Sequence, residues 1–310
     1  MSPLIPLPTV LRQQPPPPFE SFKSSFTRHT CRDRYGRRIT YYVTSEKERL
    51  PLALLIGGSG GQSMWIVRDG KLYGGLQNLL KNTAGGQVRV MAVEKPGVPF
   101  AFQPPRPGSA EGCPEEFLRE HTLDRWAEAN GAALRDAWKR KDVDRGRTLV
   151  MGHSEGGIVA ARVAAENPRV THLGLLASGG PNQLYDLSQL LGGGTAAVYA
   201  QWKQILGDPV STTKFAWGHP FRRWSTFLAS STLAETLRSR TSVYLAQGLA
   251  DRNVVPSGAD VLYAELSARN RQVVYERIEG ADHSFGQPND GGKADGFRSV
   301  FQKLIGWFRS

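Results

Sequence analysis

The stretch TLVMGHSEGG, residues 148–157, decides how this chain of 310 residues folds. Its apolar half predicts a buried strand, and the Ala- and Val-rich residues after it predict a helix. So sharp a passage from strand to helix needs small residues two positions before and two positions after its apex, because larger side chains would clash with the chain. Gly152 and Gly156 flank Ser154 at that spacing. We therefore expect the Ser154 hydroxyl to project above the sheet from strained backbone.

Strands and helices alternate on both sides of this turn. Apolar runs predict strands at residues 25–31, 38–43, 52–56, 88–93, 148–151, 172–177, 242–247 and 272–278. Apolar side chains at helical spacing predict helices at residues 72–80, 123–138, 155–167 and 297–308. Such alternation predicts an α/β fold, with a mostly parallel, doubly wound sheet that helices cover on both faces.

One interval breaks the alternation. About sixty residues between the strands at 172–177 and 242–247 contain no strand-like run and are rich in aromatic side chains. We expect this insertion to form a helical cap over a pocket at the carboxyl ends of the strands. The residues expected to line that pocket are Trp65, Trp217, Phe221 and Trp224. Alternatively, the aromatic side chains of the insertion only pack it against the core.

The amino-terminal segment has a composition of its own. Its first eighteen residues contain seven of the 20 prolines, and no basic segment precedes an apolar run. This composition favours an extended polyproline II arm over a signal peptide, so we expect a cytoplasmic protein. The expected domains are a Pro-rich disordered leader at residues 1–21, a core at residues 22–180 and 241–310, and a helical cap at residues 181–240.

The charge and cysteine content exclude several classes of function. The chain carries 39 Lys and Arg against 28 Asp and Glu, a formal net charge of +11. The basic residues are scattered and accompany no nucleic-acid-binding motif, so we expect no nucleic-acid partner, while contact with an anionic surface stays open. No apolar run approaches the ~18 residues of a membrane span. Two cysteines, Cys31 and Cys113, leave one disulfide open, and no metal-binding or cofactor motif occurs, so we expect neither a metal nor a cofactor.

The residues that would make Ser154 reactive follow two later strands. A serine hydroxyl is a weak nucleophile and requires a histidine base, which an acid must orient. Asp251 follows the predicted strand at 242–247, and His283 follows the one at 272–278. Because the carboxyl ends of parallel strands meet at one edge of a sheet, we expect Asp251 and His283 to lie near Ser154.

Other acids and histidines fit these roles less well. Asp260 falls in a predicted helix, and Asp282 adjoins His283, so that the two side chains diverge. The competing histidines, placed in the turn itself, in a predicted strand and in the cap, are His153, His172 and His219. Of these three, His219 is the best candidate for contact with a substrate, but we expect a surface role for it.

The order Ser154, Asp251, His283 around a Gly-x-Ser-x-Gly turn resembles the α/β-hydrolase superfamily from about residue 22 to residue 308. The sequence GHSEGG is similar to that of serine esterases and of acylaminoacyl peptidases. The resemblance implies an oxyanion hole with one backbone N–H from Glu155 and another from the loop after the strand at 52–56. Candidates in that loop are Ser59, Gly60 and Gly61, with Gly60 preferred. The dipole of its helix alone would explain the acidic side chain of Glu155.

These motifs predict a serine hydrolase that cleaves a small carboxylic ester through an acyl-enzyme, in the manner of a carboxylesterase or lipase. A peptidase or amidase acting through the same triad is the first alternative. A non-catalytic receptor or scaffold with the same fold is the second, and an intact triad argues against it.

Overall fold

The computed structural model describes residues 17–45, 48–191, 194–287 and 293–310. The strands in these residues are β1 (Phe26–Arg32), β2 (Arg38–Thr44), β3 (Leu50–Ile56), β4 (Trp65–Arg68), β5 (Lys71–Gly74), β6 (Arg89–Val93), β7 (Val143–His153), β8 (His172–Leu176), β9 (Phe215–Ala216), β10 (His219–Pro220), β11 (Ser242–Gly248) and β12 (Val273–Ile278). The α-helices are α1 (Leu76–Ala84), α2 (Glu115–Glu120), α3 (Leu123–Ala137), α4 (Glu155–Glu166), α5 (Gln183–Leu190), α6 (Gly194–Gly207), α7 (Phe221–Phe227), α8 (Thr232–Arg238), α9 (Pro256–Ala268) and α10 (Lys293–Arg309).

A central sheet organises the described part of the chain. Its eight strands lie in the order β1-β2-β6-β3-β7-β8-β11-β12. The strands from β6 to β12 in that order pair in parallel, while β1 and β2 add an antiparallel edge. The mostly parallel sheet predicted from the sequence is therefore confirmed. The carboxyl ends of β3, β7, β11 and β12 consequently open onto the same edge of the sheet.

Helices cover both faces of this sheet. On one face, α3, α4 and α9 pack against side chains such as Leu54 and Val150. On the other face, α1 and α10 pack against the alternate positions, among them Leu55 and Tyr244. The Leu304 side chain of α10 is fully buried there, as its amphipathic spacing predicts. Burial on both faces explains why the strands read as nearly continuous apolar runs.

The packed body begins before residue 22. A short 3-10 helix spans Phe19–Ser21. The Phe19 ring is buried, with its centroid 4.8 Å from that of Tyr42 and 5.2 Å from that of Trp65. Extending the disordered leader to residue 21 is therefore wrong, because burying this ring offsets the entropy lost on ordering the segment. Residues 1–16 of the predicted leader lie outside the described residues.

A hairpin occupies part of the predicted helix at residues 72–80. Strands β4 and β5 pair antiparallel, with Val67 opposite Leu72, and helix α1 begins only at Leu76. Asp69 and Gly70 form the connection with φ values of +51° and +69°. An Asp-Gly pair with both φ values positive favours a two-residue hairpin whose twist matches that of the strands. This local turn outweighs the helical spacing of the leucines.

The insertion between β8 and β11 is mainly helical. It contains α5 to α8 and the short hairpin of β9 and β10. Ile205, Phe221 and Leu228 form a small apolar core inside the insertion. Phe227 at the end of α7 joins the main core instead. The insertion is thus a cap fixed to the sheet layer by its own apolar side chains.

The structure also bears on the two cysteines and on a possible membrane span. Cys31 and Cys113 are both free thiols, so they form no disulfide with each other. Within the described ranges, no helix is both long enough and apolar enough to cross a membrane.

Candidate active site

The turn between β7 and α4 holds Ser154 in strained backbone, with φ +57° and ψ −127°. A Cβ atom at Gly152 would lie 2.0 Å from the carbonyl oxygen of Gly156, and one at Gly156 would lie 2.2 Å from that of Ile56. No side chain fits at those distances, so both positions require glycine. The strain positions the serine at the carboxyl edge of the sheet.

Asp251 and His283 come from the loops after β11 and β12. The His283 Nδ1 lies 2.8 Å from the Asp251 Oδ2. The same carboxylate accepts hydrogen bonds from the Gln247 side chain at 3.0 Å and from the backbone N–H groups of Asn253 and Val254 at 2.8 and 3.0 Å. Burial alone would raise the pKa of Asp251, but these contacts outweigh it and lower the pKa. An ionised Asp251 therefore orients the His283 ring.

Ser154 and His283 both line one cavity of about 450 Å³, and the buried Asp251 is hydrogen-bonded to the histidine.

The competing acids have other partners. Asp260 on α9 accepts a hydrogen bond from the Tyr275 hydroxyl, and Asp282 accepts bonds from backbone N–H groups of its own loop. The structure thus brings together the three residues that the sequence pointed to.

His153 contacts His283 through a hydrogen bond to its backbone and through its ring. Its Nε2 lies 2.8 Å from the His283 carbonyl oxygen, and the two rings are 4.7 Å apart. Burial lowers the pKa of His153 to about 4, so its ring is neutral near pH 7 and donates Nε2–H to that carbonyl. The side chain of His153, which precedes Ser154 in the Gly-x-Ser-x-Gly turn, therefore holds the backbone of the loop that carries His283.

The loop after β3 contributes one of its three candidates to the cavity. Ser59 lines the cavity beside Ser154 and Glu155. Gly60 and Gly61 are buried: a Cβ at Gly60 would lie 2.8 Å from the Gly108 Cα, and one at Gly61 would lie 2.5 Å from the Cys113 Sγ. Ser59 is thus the candidate that lines the cavity, and the preference for the Gly60 N–H stays a prediction.

A buried cluster of charged and polar groups surrounds Glu155. The Oε1 atom lies 2.9 Å from the His121 Nε2 and 3.6 Å from the Lys95 Nζ. The Oε2 atom accepts a hydrogen bond from the Arg223 Nη2 at 2.6 Å. All four side chains are almost completely inaccessible to solvent. The helix dipole alone does not explain Glu155, which joins α4 to three other segments.

The surroundings of Glu155 determine which groups of this cluster are charged. Burial opposes ionisation of Glu155, but its contacts with His121, Arg223 and Lys95 hold its pKa well below the usual range. Burial lowers the pKa of His121 to about 4, so this ring is neutral and donates Nε2–H to the carboxylate. Burial also lowers the pKa values of Lys95 and Arg223, and the negative charge of Glu155 opposes this lowering.

Lys95 connects the cluster with the loop after β3. Its Nζ donates hydrogen bonds to the carbonyl oxygens of Gly58 and Gly60, each at 2.6 Å. The residue lies two positions after the end of β6 and is 6% exposed. A single ammonium group thus fixes the backbone on both sides of Ser59 while it lies beside Glu155, the neighbour of Ser154.

Two of the four predicted pocket aromatics line the cavity. Trp217 and Trp224 do so. Phe221 packs inside the cap instead, and Trp65 on β4 is 1% exposed in the core beneath the sheet. Both predictions are wrong because large aromatic rings fill apolar cores here: Phe221 fills the core of the cap, and Trp65 fills the core on one face of the sheet.

The cavity also contains residues other than the predicted aromatic side chains. His219 is 4% exposed and lines the cavity, so the expected surface role is wrong. Arg223 lines it as well. Asp186 enters the wall from the first turn of α5. No local pattern marks these positions, because the fold of the cap alone brings them to the cavity.

A family model described as the prolyl oligopeptidase family matches residues 130–305, which is more than half of the chain. The match includes Ser154, Asp251 and His283. No curated protein sequence matches the chain.

Solved structures share the fold. A puromycin-hydrolyzing peptidase of Mycobacterium tuberculosis superposes with a TM-score of 0.63 at 17% identity, covering 92% of this chain and 40% of the other. An acylaminoacyl peptidase of Pyrococcus horikoshii gives 0.63 at 13% identity, with coverages of 92% and 41%. Est1E from Butyrivibrio proteoclasticus gives 0.58 at 15% identity, with coverages of 92% and 99%. The chain therefore spans about two fifths of the length of the first two structures, and the likeness establishes the α/β-hydrolase fold.

Proposed function

Because the chain belongs to the prolyl oligopeptidase family, whose members are serine hydrolases of the α/β-hydrolase fold, we propose that it hydrolyses carboxylic esters through an acyl-enzyme on Ser154. One observation carries this proposal. The ionised Asp251 is hydrogen-bonded to His283, and His283 shares a cavity with a serine held in strained backbone. A structural serine would need neither the strain nor the oriented histidine.

The reaction follows from these positions. His283 takes the hydroxyl proton as the Ser154 oxygen bonds to the substrate carbonyl carbon, and the carbonyl electron pair moves onto its oxygen. The intermediate then breaks its bond to the alcohol oxygen, which receives the proton from His283. Water attacks the acyl-enzyme in the same way, releases the acid and restores the serine. Asp251 stabilises the imidazolium in both halves of the cycle.

The negative oxygen of the intermediate needs donors that are already in place. The backbone N–H of Glu155 begins helix α4, and the N–H of Ser59 lies in the loop that lines the same cavity. We assign the oxyanion hole to these two groups. Oriented donors of this kind stabilise charge as it develops in the transition state, and each is worth roughly 3 kcal/mol.

Amide hydrolysis is the second candidate. The matching family model and the likeness to acylaminoacyl peptidases favour it, whereas the likeness to Est1E, which the chain matches over nearly its whole length, favours esters. The same triad can perform both reactions, because only the leaving group differs.

A parallel assay of 4-nitrophenyl esters of increasing acyl length and of aminoacyl 4-nitroanilides tests the proposal. We expect kcat/KM for the best ester to exceed that for the best anilide. We also expect Ser154→Ala to reduce ester turnover by at least about 10³-fold, because the nucleophile is lost. Turnover of anilides far above that of esters would overturn the ester assignment and favour the amide alternative.

Labelling with a fluorophosphonate separates catalysis from a receptor or scaffold role. The reagent should modify the wild-type protein at Ser154 and leave Ser154→Ala unmodified. Ser225→Ala, which removes a hydroxyl from the cap, is the matched control and should label like the wild type. Failure of the wild type to react would favour the non-catalytic alternative.

A further inference from the structure

Two carboxylates in the wall of the active-site cavity have opposite surroundings. Glu155 is enclosed by Lys95, His121 and Arg223. Asp186 forms no ion pair with any residue in the described ranges. Both side chains are almost fully buried, so the difference is one of partners and not of exposure.

One carboxylate oxygen of Asp186 has no hydrogen-bond donor within the described part of the chain. Its Oδ1 accepts one hydrogen bond, from the backbone N–H of Val255 at 2.9 Å. Its Oδ2 has no hydrogen-bond donor among the described residues. The residue is 8% exposed and lines the cavity that contains Ser154 and His283. The unpaired oxygen is therefore available to a molecule bound in that cavity.

The other charges in the cavity wall leave this carboxylate uncompensated. Arg223 is already paired with Glu155, and burial keeps His219 neutral by holding its pKa well below the usual range. The titratable groups that act on Asp186 are Asp251, whose negative charge repels it, and His283. Burial, assisted by Asp251, raises the pKa of Asp186 to about 7, so ionising this group without a partner is costly.

We propose that Asp186 binds a protonated amine carried by the substrate, close to the bond that Ser154 attacks. This inference rests on the proposed function and specifies its substrate class. An ammonium group would give Oδ2 the missing donor and neutralise the charge through a hydrogen bond of the stronger, charge-assisted kind. A neutral substrate of the same shape would leave the carboxylate desolvated and unpaired, which is unfavourable.

The amine can belong to the acyl part or to the alcohol part of the ester, and two substrate pairs distinguish these sources. The acyl pair is 4-nitrophenyl alaninate and 4-nitrophenyl 2-methylpropanoate, in which a methyl group replaces the ammonium. The alcohol pair is 2-(dimethylamino)ethyl butanoate and 3-methylbutyl butanoate, in which CH replaces the protonated nitrogen.

The measured quantity is the ratio of kcat/KM for the charged and neutral members of each pair. The intrinsic reactivity of the two esters cancels when this ratio is compared between wild type and Asp186→Asn. We expect the ratio to fall by roughly tenfold or more for at least one pair, because a charge-assisted hydrogen bond is lost. The pair that responds identifies the side that carries the amine. The matched control is Asp208→Asn, which removes a cap carboxylate outside the cavity and should leave both ratios unchanged.

A binding measurement without turnover keeps this inference separate from the proposed function. Calorimetry should show that Ser154→Ala binds 2-phenylethylammonium at least tenfold more tightly than Ser154→Ala/Asp186→Asn does. Equal affinities, or ratios that change less than twofold in Asp186→Asn, would overturn the assignment of Asp186. Those results would leave the role of Ser154 intact, since fluorophosphonate labelling tests that role independently.

Discussion

At the scale of single residues, the groups that support Ser154 are more numerous than a triad. His153 holds the loop of His283 through a hydrogen bond to its carbonyl, and Lys95 holds the loop of Ser59 through two. Neither side chain faces the reaction directly. Both act by fixing the backbone from which a reacting group or an oxyanion donor projects, and catalysis is sensitive to displacements of that backbone.

We expect Lys95→Met to lower kcat for ester hydrolysis by about 10- to 100-fold with a smaller change in KM. Without the ammonium, the carbonyls of Gly58 and Gly60 lose a donor, and the oxyanion loop loses the contact that orients it. Breaking the buried charge cluster around Glu155 should also lower the free energy of unfolding by about 3–5 kcal/mol. Steady-state kinetics and urea denaturation measure the two effects.

Lys203→Met is the matched control, because Lys203 is an exposed residue of the cap helix α6. It should alter neither quantity appreciably. If Lys95→Met retained wild-type kcat, the assignment of Lys95 as a positioning residue would be wrong, whatever the loss of stability.

At the scale of elements, the passage from β7 to α4 controls how closely the new helix approaches β3. Gly156, the second residue of α4, lies against the backbone of Ile56 at the end of β3. This close approach brings the amino terminus of α4 next to the loop that carries Ser59. The two proposed oxyanion donors therefore meet because a strand and a helix can approach without an intervening side chain.

Gly156→Ala should move α4 away from β3. We expect the free energy of unfolding to fall by about 1–3 kcal/mol and ester turnover to be largely lost, because the added methyl overlaps the Ile56 carbonyl. Gly306→Ala in α10 is the matched control, since open space surrounds a Cβ at that position. It should stabilise the protein by roughly 0.5–1 kcal/mol. Equal effects of the two substitutions in thermal denaturation would contradict this account of the turn.

Elements also show which local signals the sequence carries. The strands of the sheet and the helices α3, α4 and α10 follow the predicted pattern, because burial on a sheet face imposes a short-range periodicity. The hairpin of β4 and β5 was missed although Asp69 and Gly70 signal it, since the leucine spacing suggested a helix. The Asp-Gly pair favoured a hairpin at this point of the chain, whereas the spacing of the leucines that follow favoured a helix.

At the scale of the whole molecule, buried ionisable groups couple folding to pH. Burial lowers the pKa of His121, His153 and His172 to about 4 and also holds the pKa of His219 well below its usual range. These side chains stay neutral in the folded protein between about pH 6.5 and 4, while the unfolded chain binds protons there. Stability is therefore lost as the pH falls through this window. Glu94 and Asp186 oppose the loss, because burial raises their pKa values to about 8 and about 7.

The four histidines outnumber the two carboxyl groups, and His29, whose pKa burial also lowers, acts in the same direction, so we expect the free energy of unfolding to fall between pH 6.5 and pH 5. Urea denaturation at a series of pH values measures it. His153→Gln, whose amide can still donate to the His283 carbonyl, should lose about 2 kcal/mol less over the same range, since one titrating group is gone. An identical pH dependence in this variant would show that His153 is not buried in its neutral form.

The sequence alone contained the information for the sheet, for the strained turn and for the choice of Ser154, Asp251 and His283, which the structure brings together. Each depends on local information: apolar periodicity marks a strand, close backbone approach requires Gly152 and Gly156, and loops that follow parallel strands must share one edge of the sheet. The sequence could not have shown the partners of Glu155, because His121 lies 34 and Arg223 lies 68 positions away along the chain. Only the packing of the cap and of the loops against the sheet decided those contacts, the burial of Trp65 and the unpaired carboxylate of Asp186 in the cavity.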